Sequence, residues 1–325
     1  MISIVAALLI TANGGAESAP QQLPKTITFA YQAAENLGQE PGVCRRDPSD
    51  VIRVGETYYV WYTKVVESAP LYPSAGYNGT VWYATSDDDG HTWQERGMAV
   101  DCSITGFDSF GVFTPNILAA EGRFFLYYTA VAKGFVNQGY TESGKTAIGV
   151  AVSDNPNGPW TKHSENPVLD TSDDHARFDS YRVDDACLMV REGKYRLYYK
   201  GRQWEHTPRE TKMGVAVGDV PTGPFVKQND GYAVQDSGHE VLIWPYQRGV
   251  MSLVSNTGPH GRTLQFAPDG LHFQVIVQGL KDQPKAPGIF RRDLSGEPDY
   301  DGLVSWGISM IHGRPPYLVR FSCGF

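Results

Sequence analysis

The sequence is short of positive charge, of cysteine and of long apolar runs. Its 325 residues carry 28 Lys and Arg against 36 Asp and Glu, a net charge of −8 without a basic tract. A nucleic-acid binder neutralises phosphates with clustered cations, so this balance argues against nucleic acid as a partner. There are only four cysteines, Cys44, Cys102, Cys187 and Cys323, and no two have C-x-x-C spacing. No zinc or redox motif can be drawn from them, and their pairing stays open. Cys187, inside the apolar run Ala186–Val190, reads as a buried free thiol. The one unbroken apolar run is Ile2–Ile10, too short to span a bilayer. Small residues follow it, as in the cleavage region of a signal peptide, although the usual Lys or Arg before the run is missing. Residues 1–19 are therefore expected to be a signal peptide, and the protein periplasmic or secreted without a membrane anchor. Phosphate-cradling Gly-rich loops and a Ser nucleophile elbow are also missing, and no cofactor is expected.

What is there is turn and aromatic. The chain has 35 Gly, 21 Pro, 12% aromatic and 41% hydrophobic residues, a composition suited to many short strands. Two units repeat. One is a strand, a turn of Asp, Asn, Pro and Gly, and an aromatic: Trp82–Trp93, Ile148–Trp160, Met213–Phe225 and Leu264–Phe273. The other is a polar residue, an apolar run, a tight turn and an aromatic strand: Asp47–Thr63, Thr114–Ala130, Asp184–Gly201 and His239–Ser255, with a degenerate copy over Pro287–Met310. Each unit reads as a hairpin. Two hairpins per unit and five units, about 50–70 residues apart, predict an all-β, five-bladed β-propeller over residues 43–325. Four copies of the turn-aromatic unit speak against a β-sandwich. Residues 20–42 are expected to form an N-terminal helical arm, because Phe29, Ala33 and Leu37 fall at helical spacing before Gly38. The arm would clasp its own chain or reach a partner.

In a propeller the inner strands of all blades begin on one face, around the axis. The residues opening the units should meet there: Asp47, Thr114, Asp185 and Glu240, with His239 beside the last and Gly288 opening the fifth unit. Carboxylates held together resist ionisation and mark acid–base sites. Paired carboxylates in neutral, aromatic surroundings point to glycoside hydrolysis, in which one group protonates the leaving oxygen and another activates water or attacks the sugar. Trp61, Trp82, Trp204 and Trp244 are candidate stacking faces, with Trp61 and Trp82 better placed as core. Arg45 and Arg46 are expected to pair with the carboxylates. Asp173, Asp174, His175 and Asp179 form a polar loop that could take a divalent cation, although the spacing matches no metal motif.

Arg45-Arg46-Asp47-Pro48-Ser49, Val112-Phe113-Thr114-Pro115, Val183-Asp184-Asp185, Tyr199-Lys200-Gly201 and Ser237-Gly238-His239-Glu240-Val241 with Trp244-Pro245-Tyr246 occur in order along the chain. Together they resemble glycoside hydrolase family 117, the α-1,3-(3,6-anhydro)-L-galactosidases or neoagarobiose hydrolases. The resemblance implies an exo-acting, inverting hydrolase on a five-bladed propeller, releasing 3,6-anhydro-L-galactose from neoagaro-oligosaccharides in agar degradation. It implies Asp47 as general base, His239 as general acid, and Asp185 and Glu240 at the sugar. Thr114, Asp184, Lys200, Trp244 and Arg46 would be further substrate contacts, and the chain would dimerise through its N-terminal segment. The sequence departs from the family pattern at Asp184, where a His is usual, and at Thr129, where a Gln is usual. These changes leave open a glycosidase for another sugar, such as an arabinosidase, or a non-catalytic carbohydrate-binding propeller.

Overall fold

A computed structural model describes residues 22–68, 78–133 and 144–325. The expected signal segment, residues 1–19, lies outside them. Among the described residues no helix is long and apolar enough to cross a membrane.

The chain folds as a five-bladed β-propeller. Blade I comprises β2 (Val43–Arg46) and β3 (Ile52–Val54), which both pair with β4 (Thr57–Val66), followed by β5 (Thr80–Ser86) and β6 (Gln94–Val100). Blade II is β7 (Gly111–Ala120), β8 (Arg123–Val131), β9 (Thr146–Ser153) and β10 (Thr161–Lys162). Blade III is β11 (Arg182–Arg191), β12 (Lys194–Arg202), β13 (Lys212–Gly218) and β14 (Val226–Lys227). Blade IV is β15 (Ile243–Tyr246), β16 (Gly249–Val254), β17 (Thr263–Ala267) and β18 (Gln274–Gln278). Blade V is β19 (Lys285–Ile289), β20 (Trp306–Ile311), β21 (Tyr317–Gly324) and, as its outer strand, β1 (Thr28–Ala33).

The expected N-terminal helix is corrected here. Thr28–Ala33 is a strand, paired antiparallel with β21 from Thr28–Gly324 to Ala33–Val319. Phe29 and Tyr31 both lie against the Phe321 ring, at 6.4 and 6.5 Å between centroids. Of the two alternatives for the arm, the segment closes the ring of its own chain. This also explains the four turn-aromatic copies: each joins the third and fourth strands of blades I–IV, whereas blade V takes its fourth strand from the other end of the chain.

The two repeated units have distinct physical jobs. The tight turns between first and second strands place Glu121–Gly122, Glu192–Gly193 and Gln247–Arg248 at positive φ in successive pairs, the backbone a two-residue hairpin demands. The aromatic after each longer turn seals its blade against the second strand of the preceding one. Trp160 packs edge-on against Trp61 (5.8 Å), Phe225 against Tyr127 (6.3 Å) and Phe273 against Tyr198 (6.3 Å). Alternation along β4 does the rest: Tyr59 and Trp61 enter the core shared with blade II, and Tyr58, Val60 and Tyr62 the core shared with blade V.

Candidate active site

The inner strands of blades II, III and V carry an irregularity at the same place. Pairing is interrupted between Phe113 and Asn116, between Asp184 and Cys187, and between Lys285 and Gly288. The first residue skipped has positive φ each time: Thr114 (43°), Asp185 (52°) and Ala286 (42°); Asp47 (50°) holds the same conformation where β2 ends. Such backbone costs about 1–3 kcal/mol per residue and persists only when its surroundings enforce it. Here a neighbouring blade does so. The Thr114 N–H donates to Thr63 Oγ1 at 2.9 Å, and the Asp185 N–H to Thr129 Oγ1 at 3.2 Å. The hydroxyls of Thr114 and Thr129 also bond to one another. Thr129 is buried and serves as this inter-blade stitch.

The bulges turn Asp47, Thr114, Asp185 and Ala286 toward the axis, where they line, with Glu240, a small cavity of about 30 Å³. That is enough for a water molecule. The convergence of Asp47, Thr114, Asp185 and Glu240 expected from the repeat is therefore found, and the fifth position is Ala286 rather than Gly288. Gly288 has another role: a Cβ there would lie 1.7 Å from the Ser49 carbonyl oxygen, so blade V can approach blade I only without a side chain. A signal for Ala286 was present in the sequence, since Asp47-Pro48, Thr114-Pro115 and Ala286-Pro287 all place Pro after the turning residue. Glu240 also lines a larger cleft, about 580 Å³, with Arg46, His239 and His312. The volume is within the range of small-molecule sites.

Charge at the axis is finely divided. Lys200 Nζ, on a mostly buried side chain, stands 2.6 Å from Asp185 Oδ2 and 3.5 Å from Asp184 Oδ2, and both carboxylates are buried. Burial pushes Asp185 up to about 7; Lys200 opposes the shift, and Glu240 and Asp184 add to it. Burial likewise pushes Glu240 up to about 7 against Lys200, with Asp47 reinforcing the rise. Burial resists ionisation of Asp184 too, but Lys200, Arg182 and the Thr146 hydroxyl outweigh it and hold that carboxyl below its ordinary range. His239 Nε2 lies 3.5 Å from Glu240 Oε1. Burial, then Lys200, pushes the imidazole down to about 4, so it is neutral at neutral pH. Asp47 Oδ2 accepts from Arg46 Nε at 2.7 Å.

The remaining candidates fall elsewhere. Asp184, expected at the sugar, is turned away: neighbouring strand positions face opposite sides, and its Oδ1 accepts from Thr146 Oγ1 at 2.6 Å. Lys200 acts from behind Asp185. Trp244 is corrected from sugar platform to core, 2% exposed and clustered with Leu242, Met251 and Leu264. Arg45 pairs with Glu40 (2.6 Å) and Glu95 (3.1 Å), not with the axial carboxylates. Trp204 stacks on His175 at 4.4 Å. In the polar loop, Asp179 is committed to Ser172, Tyr199 and Lys227, and no group of three or more His, Cys, Asp or Glu among the described residues stands close enough to hold a metal ion. All four cysteines are free thiols. Thr63 and His312 were not singled out in the sequence, because only contacts between blades give them a role.

A family profile described as glycosyl hydrolases family 43 matches residues 43–185. No curated protein sequence matches the chain. Among solved structures, a family 117 glycoside hydrolase produced by the marine bacterium Zobellia galactanivorans superposes with a TM-score of 0.78 and 28% identity, over 92% of this chain and 91% of that one. An α-L-arabinofuranosidase from Podospora anserina gives a TM-score of 0.63 at 12% identity over 93% and 98%. A family 43 β-xylosidase/α-arabinofuranosidase from a compost metagenome gives 0.59 at 14% over 91% and 94%. The last two share the fold. The chain is a propeller of glycoside hydrolase type, and it resembles family 117 over nearly its whole length.

Proposed function

We propose that the chain is an exo-acting, inverting glycoside hydrolase that releases 3,6-anhydro-L-galactose from the non-reducing end of neoagaro-oligosaccharides. The observation carrying this reading is the meeting of Asp47, Asp185 and Glu240 around an axial cavity where a cleft of sugar-binding size ends. Asp47, held by Arg46, is the general base that takes a proton from the attacking water. An inverting site needs space for that water between base and acid, and the axial cavity supplies it. His239 and Glu240 act together as the acid. With the imidazole pushed down and the carboxyl pushed up, Glu240 rather than His239 holds the proton at pH up to about 7, ready for the leaving oxygen. Asp185, anchored by Lys200, stabilises the positive charge that develops on the sugar. Export and dimerisation belong to the same proposal.

The test is release of anhydrogalactose from neoagarobiose and longer neoagaro-oligosaccharides, followed by chromatography. Asp47→Asn should lower turnover about 10²–10⁴-fold with an unchanged melting temperature. Sugar binding without hydrolysis of any red-algal oligosaccharide at high protein load would replace this reading with a carbohydrate-binding propeller.

A further inference from the structure

The cleft that ends at Glu240 carries a charge opposite to that of the protein. The chain as a whole is at −8. Yet the cleft is lined by Arg46, Arg262, Lys281 and Lys285, with His239 and His312, against two carboxylates, Glu240 and Asp282. Arg46 is engaged by Asp47. Arg262, Lys281 and Lys285 have no ion-pair partner among the described residues. Arg262 lies just before β17, Lys281 in the loop leading to β19 and Lys285 at the first position of β19, so they converge on the cleft from blade IV and the entry to blade V. His312 registers the result: burial, then Lys285 and Arg46, pushes its imidazole down. A second cleft on the molecule, lined by Arg123, Lys162, Glu121 and Asp154, shows the ordinary arrangement, with Arg123 neutralised by Asp154 at 2.6 Å.

Free cations are poor partners for the hydroxyls of a neutral sugar, which need acceptors as well as donors. They suit an oxyanion, with which each can form a charge-assisted hydrogen bond. Ser255, Asn256 and Thr257, on the same wall, supply the neutral groups that ring hydroxyls require.

From this arrangement we infer that the substrate carries an anionic substituent, a sulfate ester or a ring carboxylate, on the sugar unit seated in the cleft beside Glu240. The inference rests on the glycosidase reading and narrows it to acidic oligosaccharides. Such substituents also strengthen encounter with the site at low ionic strength and lose that advantage as salt rises.

The experiment is calorimetric titration of the full chain with backbone-matched red-algal oligosaccharides, one set sulfated and one chemically desulfated, and with uronate-bearing oligosaccharides as a third set. The same samples are analysed for hydrolysis. The expected result is binding of the sulfated or the uronate set at least about tenfold tighter than the neutral set at low salt. The paired variant Arg262→Gln/Lys285→Gln should abolish that preference, and the set that wins identifies the anion. Equal or tighter binding of the neutral set, no binding of either anionic set, or a preference that survives the paired variant would each overturn the inference. Hydrolysis of neutral sugars without anionic preference defeats only this inference. Tight anionic binding without hydrolysis supports it and defeats only the assignment as a hydrolase.

Discussion

Arg291, buried, and Lys200, mostly buried, are cations held between carboxylates near the axis of one ring. Arg291 is fully satisfied. Its guanidinium donates to Asp50 Oδ2 (2.9 Å), to the Leu188 carbonyl (3.0 Å) and to both oxygens of Asp293 (2.8 and 2.7 Å), while Asp50 Oδ1 accepts the Ile289 N–H. These bonds tie the inner parts of blades I, III and V, which stand on different sides of the ring, so the network crosses the axis and closes it. Lys200 sits in a network left incomplete. Asp185 Oδ1 and His239 Nδ1 have no hydrogen-bond partner among the described residues, and two carboxyls are pushed to about 7. A satisfied buried network holds a structure together; an unsatisfied one stores a demand that a ligand can meet. The difference between the two is the difference between a stabilising plug and a cluster with polar capacity to spare.

The contrast can be broken most forcefully at the plug. Arg291→Met strands the Asp50 charge and should cost about 3–5 kcal/mol, read by urea denaturation. Replacing both partners, Asp50→Leu with Arg291→Met, should cost much less; an equal cost would mean that the charges themselves do not close the ring.

At the site the sign should reverse. Glu240 has a folded value of about 7 against an ordinary 4.5, so the folded state holds this proton more tightly than the unfolded chain does. The stability this gives is complete below the ordinary carboxylate range and is lost as pH rises through about 7. Glu240→Gln should therefore be more stable than the parent at pH 8, on the order of 1 kcal/mol, and no more stable near pH 4, while losing activity. Thermal melts across that range check it. A variant destabilised equally at both pH values would place Glu240 with Asp50, among the structural carboxylates.

The smallest effect is expected where the two roles touch. Thr129→Val removes the acceptor for the Asp185 N–H and should cost about 1 kcal/mol. Because it loosens the bulge that aims Asp185, kcat should fall by more than the stability loss accounts for, measured at a temperature where both proteins are fully folded. Unchanged kcat would mean that the bulge holds without its stitch.

Much of this was legible in the sequence. The hairpin units located every blade, and the polar residue opening each of the first four led to the axial cluster. The N-terminal strand was not legible. In Thr28–Ala33 a short apolar segment satisfies helical and strand periodicity alike, and the partner that decides between them, β21, begins at Tyr317. Asp184 and Trp244 were misplaced for a related reason: their motifs lie next to the site, but the side of the strand that each faces depends on a bulge and on packing between blades. Thr129, a departure from the family pattern, turned out to hold a neighbour's backbone.

The sequence by itself determined the number of blades, the aromatic seals between them and the residues brought to the axis, because these follow from local turn chemistry repeated at intervals. Only the tertiary structure decided which of those residues had their proton affinities shifted. Proton affinity depends on burial and on the charges nearby, and Lys200, Asp184, Glu240 and His239 meet only when the ring closes. The cationic cleft arose in the same way, from a loop of blade IV and the start of blade V that the sequence gives no reason to join.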